Sequence, residues 1–367
     1  MGELILDGHK LNWHRDRVEA WLRGERIAPI TIDCSLTKRC TYRCIYCYGQ
    51  LQANDEKKMT KDVIFRFLDD TAEIGVKAIS FVSDGESTCS PYLYEAILRG
   101  KANGLDMALG TNGYLLKDEK LEVILPCLTY LRFNISAARP SRYAQIMGCK
   151  EEYFYKVYNT IKECVKIKKE KNLSVTIGIQ MVLLPKFSDQ IIPFVNLGKE
   201  LKVDYAIIKH CSDDERGSLS VDYSQYFKLV DILKDAEDYS TQDYLVKVKW
   251  SKILSNGKRK YSQCYGPPFI MQMSGSGLVA PCGMLFNRRY RKFHIGNIVD
   301  KSFKEIWQSK RYGEVMDFIA SCEFDAKTMC GSLCLQHKVN EFLWDLKEGN
   351  ISLEEPEEES PLHINFV

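Results

Sequence analysis

Three cysteines lie close together near the start of the chain, at Cys40, Cys44 and Cys47. Their CxxxCxxC spacing places three thiols on one tight loop, with Tyr46 directly before the last of them. Iron–sulfur clusters are held by cysteine thiolates, normally four, so three would leave one iron of a four-iron cluster (4Fe-4S) open to another ligand. A zinc site is the alternative, but zinc sites usually pair CxxC with a second CxxC or two histidines, and no such partner follows within about forty residues.

The motif resembles the cluster loop of the radical S-adenosylmethionine (radical SAM) family. This resemblance implies that S-adenosylmethionine binds the open iron through its amino and carboxylate groups. It also implies that an electron from the reduced cluster cleaves the cofactor to a 5′-deoxyadenosyl radical, which abstracts a hydrogen atom from the substrate. The protein's part in such chemistry is to bind, orient and shield the reactants.

Residues that follow the predicted strands match the family's cofactor contacts singly. Gly85 and Glu86 fit its glycine-rich motif, whose backbone and acidic side chain hold the amino group of S-adenosylmethionine, whereas the neighbouring Asp84 and Ser87 depart from it. The resemblance implies four further cofactor contacts, at Tyr46, Asn112, Ser136 and Gln180. At the last three, a small or polar residue that simply closes a strand is an equally good interpretation.

A second series of cysteines begins after residue 247, at Cys264, Cys282, Cys322, Cys330 and Cys334. A short hairpin is expected between the first two, turning at residues 275–277. The pattern resembles the auxiliary-cluster module called twitch, or its larger relative SPASM, but has fewer cysteines than the full SPASM pattern. We therefore expect one auxiliary 4Fe-4S cluster, with Cys322 as a spare and its ligands at Cys264, Cys282, Cys330 and Cys334. A structural zinc site is the alternative.

An unusually polar sequence, Lys209, His210 and Cys211, ends the sixth predicted strand. Lys209 and His210 could hold a phosphate or carboxylate, or His210 could accept the proton released when an alcohol radical is oxidised. Cys211 could instead return a hydrogen atom to the substrate radical, which would make the protein an epimerase. A thiol at a strand end can also be a simple packing residue.

Short apolar runs alternate with amphipathic helical segments, which predicts βα units and a parallel sheet. Thr60 is expected to cap a helix that stops at Gly75. Because residues past the strand ends of a βα barrel meet on one face, we expect the motifs above to converge there. The fold class is α/β, a partial (β/α)6 TIM barrel followed by a small hairpin and helix domain. The six strands are predicted at 30–36, 78–83, 107–110, 130–136, 174–183 and 205–211.

Four segments are expected along the chain. Residues 1–29 form an N-terminal extension with a helix, 30–240 the radical SAM barrel, 241–345 the twitch or SPASM-like domain, and 346–367 an acidic linker with an apolar tail. The tail, residues 362–367, is expected to pack back on the barrel, near the active-site mouth.

Composition narrows the functional class. The 367 residues carry a formal charge of +2, so no nucleic-acid stripe or polybasic membrane patch is expected. No apolar run approaches the roughly 20 residues of a spanning helix, and no signal peptide is visible, so we expect a cytoplasmic protein. In a reducing compartment its 14 cysteines are better explained by metal ligation than by disulfides.

We predict a radical SAM oxidoreductase or epimerase that abstracts hydrogen from a sugar, nucleotide-sugar or similar polyol. Only 33 residues precede Cys34, which is short for a leader-binding domain and favours a small molecule, probably carbohydrate-like in chemistry, over a peptide. The alternative is a ribosomal peptide maturase without such a domain. A non-enzymatic electron-transfer protein is disfavoured because the three-cysteine loop leaves an iron open. The expected electron donor is a flavodoxin- or ferredoxin-type reductant.

Overall fold

A computed structural model describes residues 3–356 and 359–367. Met1 and Gly2, in the predicted N-terminal extension, and Glu357 and Glu358, in the predicted acidic linker, lie outside the described residues. None of the described helices has both the length and the hydrophobicity needed to cross a bilayer.

One continuous sheet forms the centre of the molecule. Its strands run in the order β10-β9-β8-β1-β2-β3-β4-β5-β6-β7, and the neighbours from β1 to β7 are parallel. The sheet is an incomplete barrel, which confirms the predicted fold class. The strands are β1 (Thr31–Cys34), β2 (Ala78–Phe81), β3 (Asp106–Thr111), β4 (Leu128–Asn134), β5 (Thr176–Leu183), β6 (Tyr205–His210), β7 (Leu245–Val248), β8 (Ile270–Met273), β9 (Leu278–Ala280) and β10 (Gly296–Asn297).

Helices cover the outer face of this sheet. Thr60 caps α2 as predicted, because its hydroxyl accepts a hydrogen bond from the backbone N–H of Val63 at 3.4 Å. Apolar residues of alternate strand positions, among them Ile32, Ile79 and Leu109, are fully buried against the helices. The helices are α1 (Arg15–Leu22), α2 (Lys61–Glu73), α3 (Leu93–Ala102), α4 (Asp118–Ile124), α5 (Pro140–Met147), α6 (Glu152–Glu170), α7 (Ile191–Leu201), α8 (Val230–Glu237), α9 (Trp250–Ile253), α10 (Phe303–Gln308), α11 (Lys310–Ala320) and α12 (His337–Lys347).

Two strand pairings differ from the sequence-based expectation. β7 was not predicted, and it extends the barrel by pairing in parallel with β6 beyond the expected boundary at residue 240. The predicted hairpin forms as β8 and β9, but β8 also pairs in parallel with β1, so the hairpin belongs to the same sheet as the barrel. The domain limits stay a prediction.

The inner face of the barrel, here called the lumen, is polar. Strand residues alternate between the two faces, so the neighbours of the buried outer residues point inward. One contact spans the lumen, because the hydroxyl of Ser80 on β2 lies 2.9 Å from that of Tyr130 on β4. Inward positions include Asp33, Ser80, Arg132, Asn134, Gln180 and Lys209.

The C-terminal tail packs on the barrel, but on the end opposite the expected one. The Phe366 ring contacts Ala78, Ala108 and Tyr130 at the beginning of the strands. The Thr31 hydroxyl donates to the carbonyl of Asn365 at 2.6 Å. The expectation of a tail near the active-site mouth is therefore wrong, because the apolar and polar partners that the tail satisfies lie at the floor of the lumen.

Candidate active site

The three-cysteine loop follows β1 at the C-terminal end of the barrel. Cys40, Cys44 and Cys47 are all free thiols. The backbone N–H of Tyr42 points at the Cys40 sulfur at 3.4 Å, and the side-chain amide of Asn112 lies 3.9 Å from the same sulfur. N–H groups directed at sulfur suit a thiolate that ligates a cluster, since they stabilise its charge.

Glu86 ties the glycine-rich loop to the end of β3. Its carboxylate is buried and accepts from the Thr111 hydroxyl and the Asn112 N–H, both at 2.7 Å, and from the Thr88 hydroxyl at 2.8 Å. Burial raises the pKa of Glu86, while these donors lower it. The structure thus places Glu86 beside Asn112 and the cluster loop, where its carboxylate holds the loop in place.

Gly85 allows the glycine-rich loop to approach the cluster loop closely. A Cβ at this position would stand 1.9 Å from the carbonyl oxygen of Thr37, so no larger residue fits without moving the backbone. Gly275 of the β8–β9 hairpin approaches Thr37 from another direction, with 2.3 Å between its virtual Cβ and the same oxygen. Both glycines therefore fix the backbone three residues before Cys40.

Asp84, which departs from the family motif, connects the barrel to the hairpin. Its carboxylate accepts from the Ser274 hydroxyl at 2.6 Å and from the Gly275 N–H at 2.8 Å. The side-chain amide of Asn54 also reaches Ser274, at 3.3 Å, and all of these side chains are buried. The residue that weakened the motif match is thus explained by a contact between the two cysteine-bearing parts of the chain.

The remaining predicted cofactor contacts surround the same loop. The Ser136 hydroxyl donates to the phenolic oxygen of Tyr46 at 2.9 Å and accepts from the Val182 N–H at 3.1 Å. The Gln180 amide donates to Asn134 at 2.9 Å inside the lumen. Tyr46, Asn112 and Ser136 are therefore brought to the cluster loop, and Gln180 lies below them.

The end of β6 does not act as one group. Lys209 and Cys211 are on the lumen side, whereas His210 points outward between Tyr223 and Tyr226, with ring centroids 5.5 and 6.2 Å away. Within the described residues neither ring nitrogen of His210 has a hydrogen-bond partner, and burial lowers its pKa far below the usual range. The structure therefore separates His210 from the other two predicted catalytic residues.

Cys211 is buried beneath the cluster loop. Its sulfur lies 3.8 Å from the carbonyl oxygen of Tyr46, and its backbone N–H donates to the Tyr226 hydroxyl at 3.0 Å. Burial raises the pKa of the thiol to about 12. No surface of Cys211 is exposed, so the thiol packs against the loop that carries Cys47.

Four cysteines of the second series line a single cavity. Cys264, Cys282, Cys330 and Cys334 share its wall with Arg259 and Asn340. The Asn340 amide donates to the Cys264 sulfur at 3.4 Å, and Arg259 holds the cysteine-bearing loop through the carbonyl of Ser332 at 2.6 Å. Cys322 is exposed and does not line the cavity.

Contacts join this cavity to the three-cysteine loop. Tyr48, directly after Cys47, donates through its hydroxyl to the carbonyl of Met284 at 3.0 Å, two residues after Cys282. The Ser212 hydroxyl, directly after Cys211, donates to the carbonyl of Leu333 at 2.8 Å. The two cysteine sites are thus linked on both sides of the β6 end.

Sequence reasoning missed two charged residues in the lumen, Asp33 on β1 and Arg132 on β4. Burial raises the pKa of Asp33 to about 7, although the positive charges of Arg132 and Lys209 oppose that rise. Burial lowers the pKa of Lys209 well below its usual range, and the charge of Arg132 adds to the effect. The three groups therefore lie close enough to influence one another.

Family models match both cysteine-bearing parts. Residues 34–197 match the radical SAM superfamily, and residues 264–335 match the iron-sulfur cluster-binding domain called SPASM. The chain belongs to the radical SAM superfamily. The second match assigns its C-terminal part to a SPASM-type auxiliary-cluster domain.

Relatives of this radical SAM protein have diverse functions. An AdoMet-dependent heme synthase of Methanosarcina barkeri is 24% identical over 344 residues, 85% of this chain and 90% of that protein. A probable GTP 3',8-cyclase of Pyrococcus horikoshii is 31% identical over 168 residues, 44% of this chain and 49% of that protein. The chain thus spans about half the length of the cyclase.

Solved structures show the same fold. Streptococcus suis SuiB bound to S-adenosylmethionine aligns with a TM-score of 0.64 at 18% identity, over 84% of this chain and 72% of that chain. A structure of anSMEcpe with bound AdoMet aligns with a TM-score of 0.57 at 15% identity, over 87% of this chain and 97% or less of comparable chains, here 95%. At these identities the likeness extends to the fold alone.

The cysteines present fit the cofactors that the family uses, a SAM-binding 4Fe-4S cluster and an auxiliary cluster. Three free thiols on one loop, with N–H groups directed at Cys40, suit a cluster with one open iron. Four thiols around one cavity suit a fully ligated cluster. We therefore assign the ligands as a proposal, at Cys40, Cys44 and Cys47, and at Cys264, Cys282, Cys330 and Cys334.

Proposed function

We propose that this radical SAM enzyme oxidises a small, carbohydrate-like substrate at a carbon that carries a hydroxyl group. When bound, the cluster of the three-cysteine loop and S-adenosylmethionine supply the hydrogen-abstracting radical. The observation that carries the proposal is the set of four thiols around one cavity. Four cysteine ligands leave no iron open for substrate, so the auxiliary site is suited to electron transfer.

Oxidation of the substrate requires that a hydrogen atom, an electron and a proton leave it. The hydrogen atom leaves the C–H bond for the radical, the electron passes to the auxiliary site, and the proton leaves the hydroxyl group as the C=O bond forms. Asp33 is the proposed proton acceptor, because it faces the lumen and burial raises its pKa to about 7.

Epimerisation by hydrogen return from Cys211 is less well supported. The thiol is covered by the Tyr46 carbonyl and has no exposed surface, so a substrate in the lumen would not reach it in this arrangement. We therefore propose a packing role for Cys211 below the cluster loop.

The test is anaerobic reconstitution, followed by incubation with reductant, S-adenosylmethionine and candidate sugars in deuterated water. We expect 5′-deoxyadenosine and a product about two mass units lighter than the substrate, as removal of two hydrogens requires. The Cys40→Ala variant is the control and should form neither. Deuterium in a skeleton of otherwise unchanged mass would overturn oxidation in favour of epimerisation, and turnover of a peptide alone would overturn the carbohydrate-like substrate.

A further inference from the structure

Two cations in the lumen have no carboxylate partner. Arg132 on β4 and Lys209 on β6 both point inward, and within residues 3–356 and 359–367 neither forms an ion pair. The Nε of Arg132 is buried and has no hydrogen-bond partner among the described residues. Buried charges are costly unless they are paired, so this arrangement calls for a ligand of opposite charge.

The strands beside Arg132 leave room for its side chain. Its register partner on β3 is Gly110 and that on β5 is Gly178, so neither neighbour projects a side chain at this level. A Cβ on Gly110 would stand 3.3 Å from the Nη2 of Arg132. The guanidinium also lies over the Tyr130 ring, 5.7 Å from its centroid, which orients it away from the floor.

Positive charge exceeds negative charge around these two residues. Asp33 is the acidic group that faces them, and burial raises its pKa to about 7, so it is only partly ionised near neutrality. The charges of Lys252 and Lys249 lower the pKa of Lys209 further. An anion at this place would be stabilised by several cations at once.

The lumen can be entered from one end. The tail closes the floor, where the Phe366 ring packs on Tyr130 with 4.9 Å between centroids. The opposite end carries the three-cysteine loop and the residues around it. An anion that reaches Arg132 therefore enters past the site where the reaction takes place.

We propose that Arg132 and Lys209 bind an anionic group of the substrate, a phosphate or a carboxylate, and so hold the substrate below the cluster loop. The inference rests on the proposed function, because it names the substrate class of the same site. It narrows that class to anionic molecules, such as a sugar phosphate, a nucleotide sugar or a sugar acid. The other anion that could occupy the site is the carboxylate of S-adenosylmethionine.

The test is a binding measurement that needs no turnover. Inorganic phosphate and, separately, S-adenosylmethionine are titrated calorimetrically into the reconstituted protein and its Arg132→Met and Lys209→Met variants. We expect each variant to bind phosphate about tenfold more weakly, since each loses one charge-assisted contact, and to bind S-adenosylmethionine unchanged. Arg132→Lys should recover part of the phosphate affinity because it keeps the charge.

Arg99→Met is the matched control, since it removes an equal charge from an exposed pair with Asp69 on the outer surface. It should leave both affinities unchanged. Phosphate binding that is absent from the unaltered protein, or equal in all variants, would overturn the proposal. A parallel loss of S-adenosylmethionine affinity would also overturn it, by assigning the site to the cofactor's carboxylate. Failure of the proposed oxidation would appear separately, as an absent lighter product with phosphate binding intact.

Discussion

Asp33 is the residue whose charge state is best placed to control the reaction. It is 8% exposed and faces the lumen, where Arg132 and Lys209 oppose the rise in pKa that burial causes. A carboxyl group with a pKa near neutrality is an effective proton acceptor, because it is ionised at the working pH and still holds a proton well.

We expect the rate of substrate oxidation to rise with pH through about 7 and to level off above it, because only ionised Asp33 accepts the proton. Asp33→Asn should lower the rate by a factor of about 100 or more and remove this dependence. Product formation measured against pH checks both. Asp106→Asn, a change at the opposite end of β3, is the control, and an unchanged pH profile in Asp33→Asn would show that another group accepts the proton.

Single residues also show what sequence reasoning can reach. The cysteines of the three-residue set were identified from spacing, because a tight loop brings them together whatever the rest of the fold does. The strand around Arg132 carries a comparable local signal, since Tyr130, Arg132 and Asn134 alternate with buried apolar residues. Asp84 has no such signal, because its partner Ser274 lies 190 residues away along the chain.

At the scale of elements, the auxiliary site depends on loops rather than on regular structure. Cys264 and Cys282 flank the β8 and β9 hairpin, whereas Cys330 and Cys334 lie on the segment before α12. Their convergence could be expected from the resemblance to SPASM but not from spacing. The same holds for β7, whose four residues are too few to show a clear period.

We expect Cys322→Ser to retain about eight irons per chain and Cys334→Ser to retain about four, since only the second thiol lines the cavity. Iron and sulfide analysis after anaerobic reconstitution measures this directly. Each variant serves as the other's control, because both exchange one thiol for a hydroxyl in the same part of the chain. Loss of four irons from Cys322→Ser instead would make that residue the ligand.

At the scale of the whole molecule, the C-terminal tail holds elements that are distant in sequence. Val367 accepts no partner by chance: its backbone N–H reaches the Thr31 hydroxyl at 3.2 Å, and Asn365 donates to Asp106 at 2.7 Å. The His363 ring lies 2.8 Å from the Thr176 hydroxyl. The tail therefore bridges β1, β3 and β5 at the floor of the lumen.

We expect Phe366→Ala to lower the free energy of unfolding by about 3 kcal/mol, because it removes a buried aromatic ring and leaves a cavity under Tyr130. Urea unfolding of the reconstituted protein measures the change. Ile351→Ala, at a side chain that is 41% exposed, should change it by less than about 0.5 kcal/mol. Equal stability of the two variants would show that the tail does not support the barrel.

The parallel pairing of β8 with β1 also affects how the chain is made. β1 is among the first strands to leave the ribosome, but its partner on one side, β8, begins at Ile270. At about 5 to 20 residues per second, the intervening stretch of roughly 240 residues takes about 10 to 50 s to synthesise. During that time one edge of β1 presents unpaired backbone groups to other chains. Nascent chains that stall before residue 270 should therefore be especially prone to aggregation.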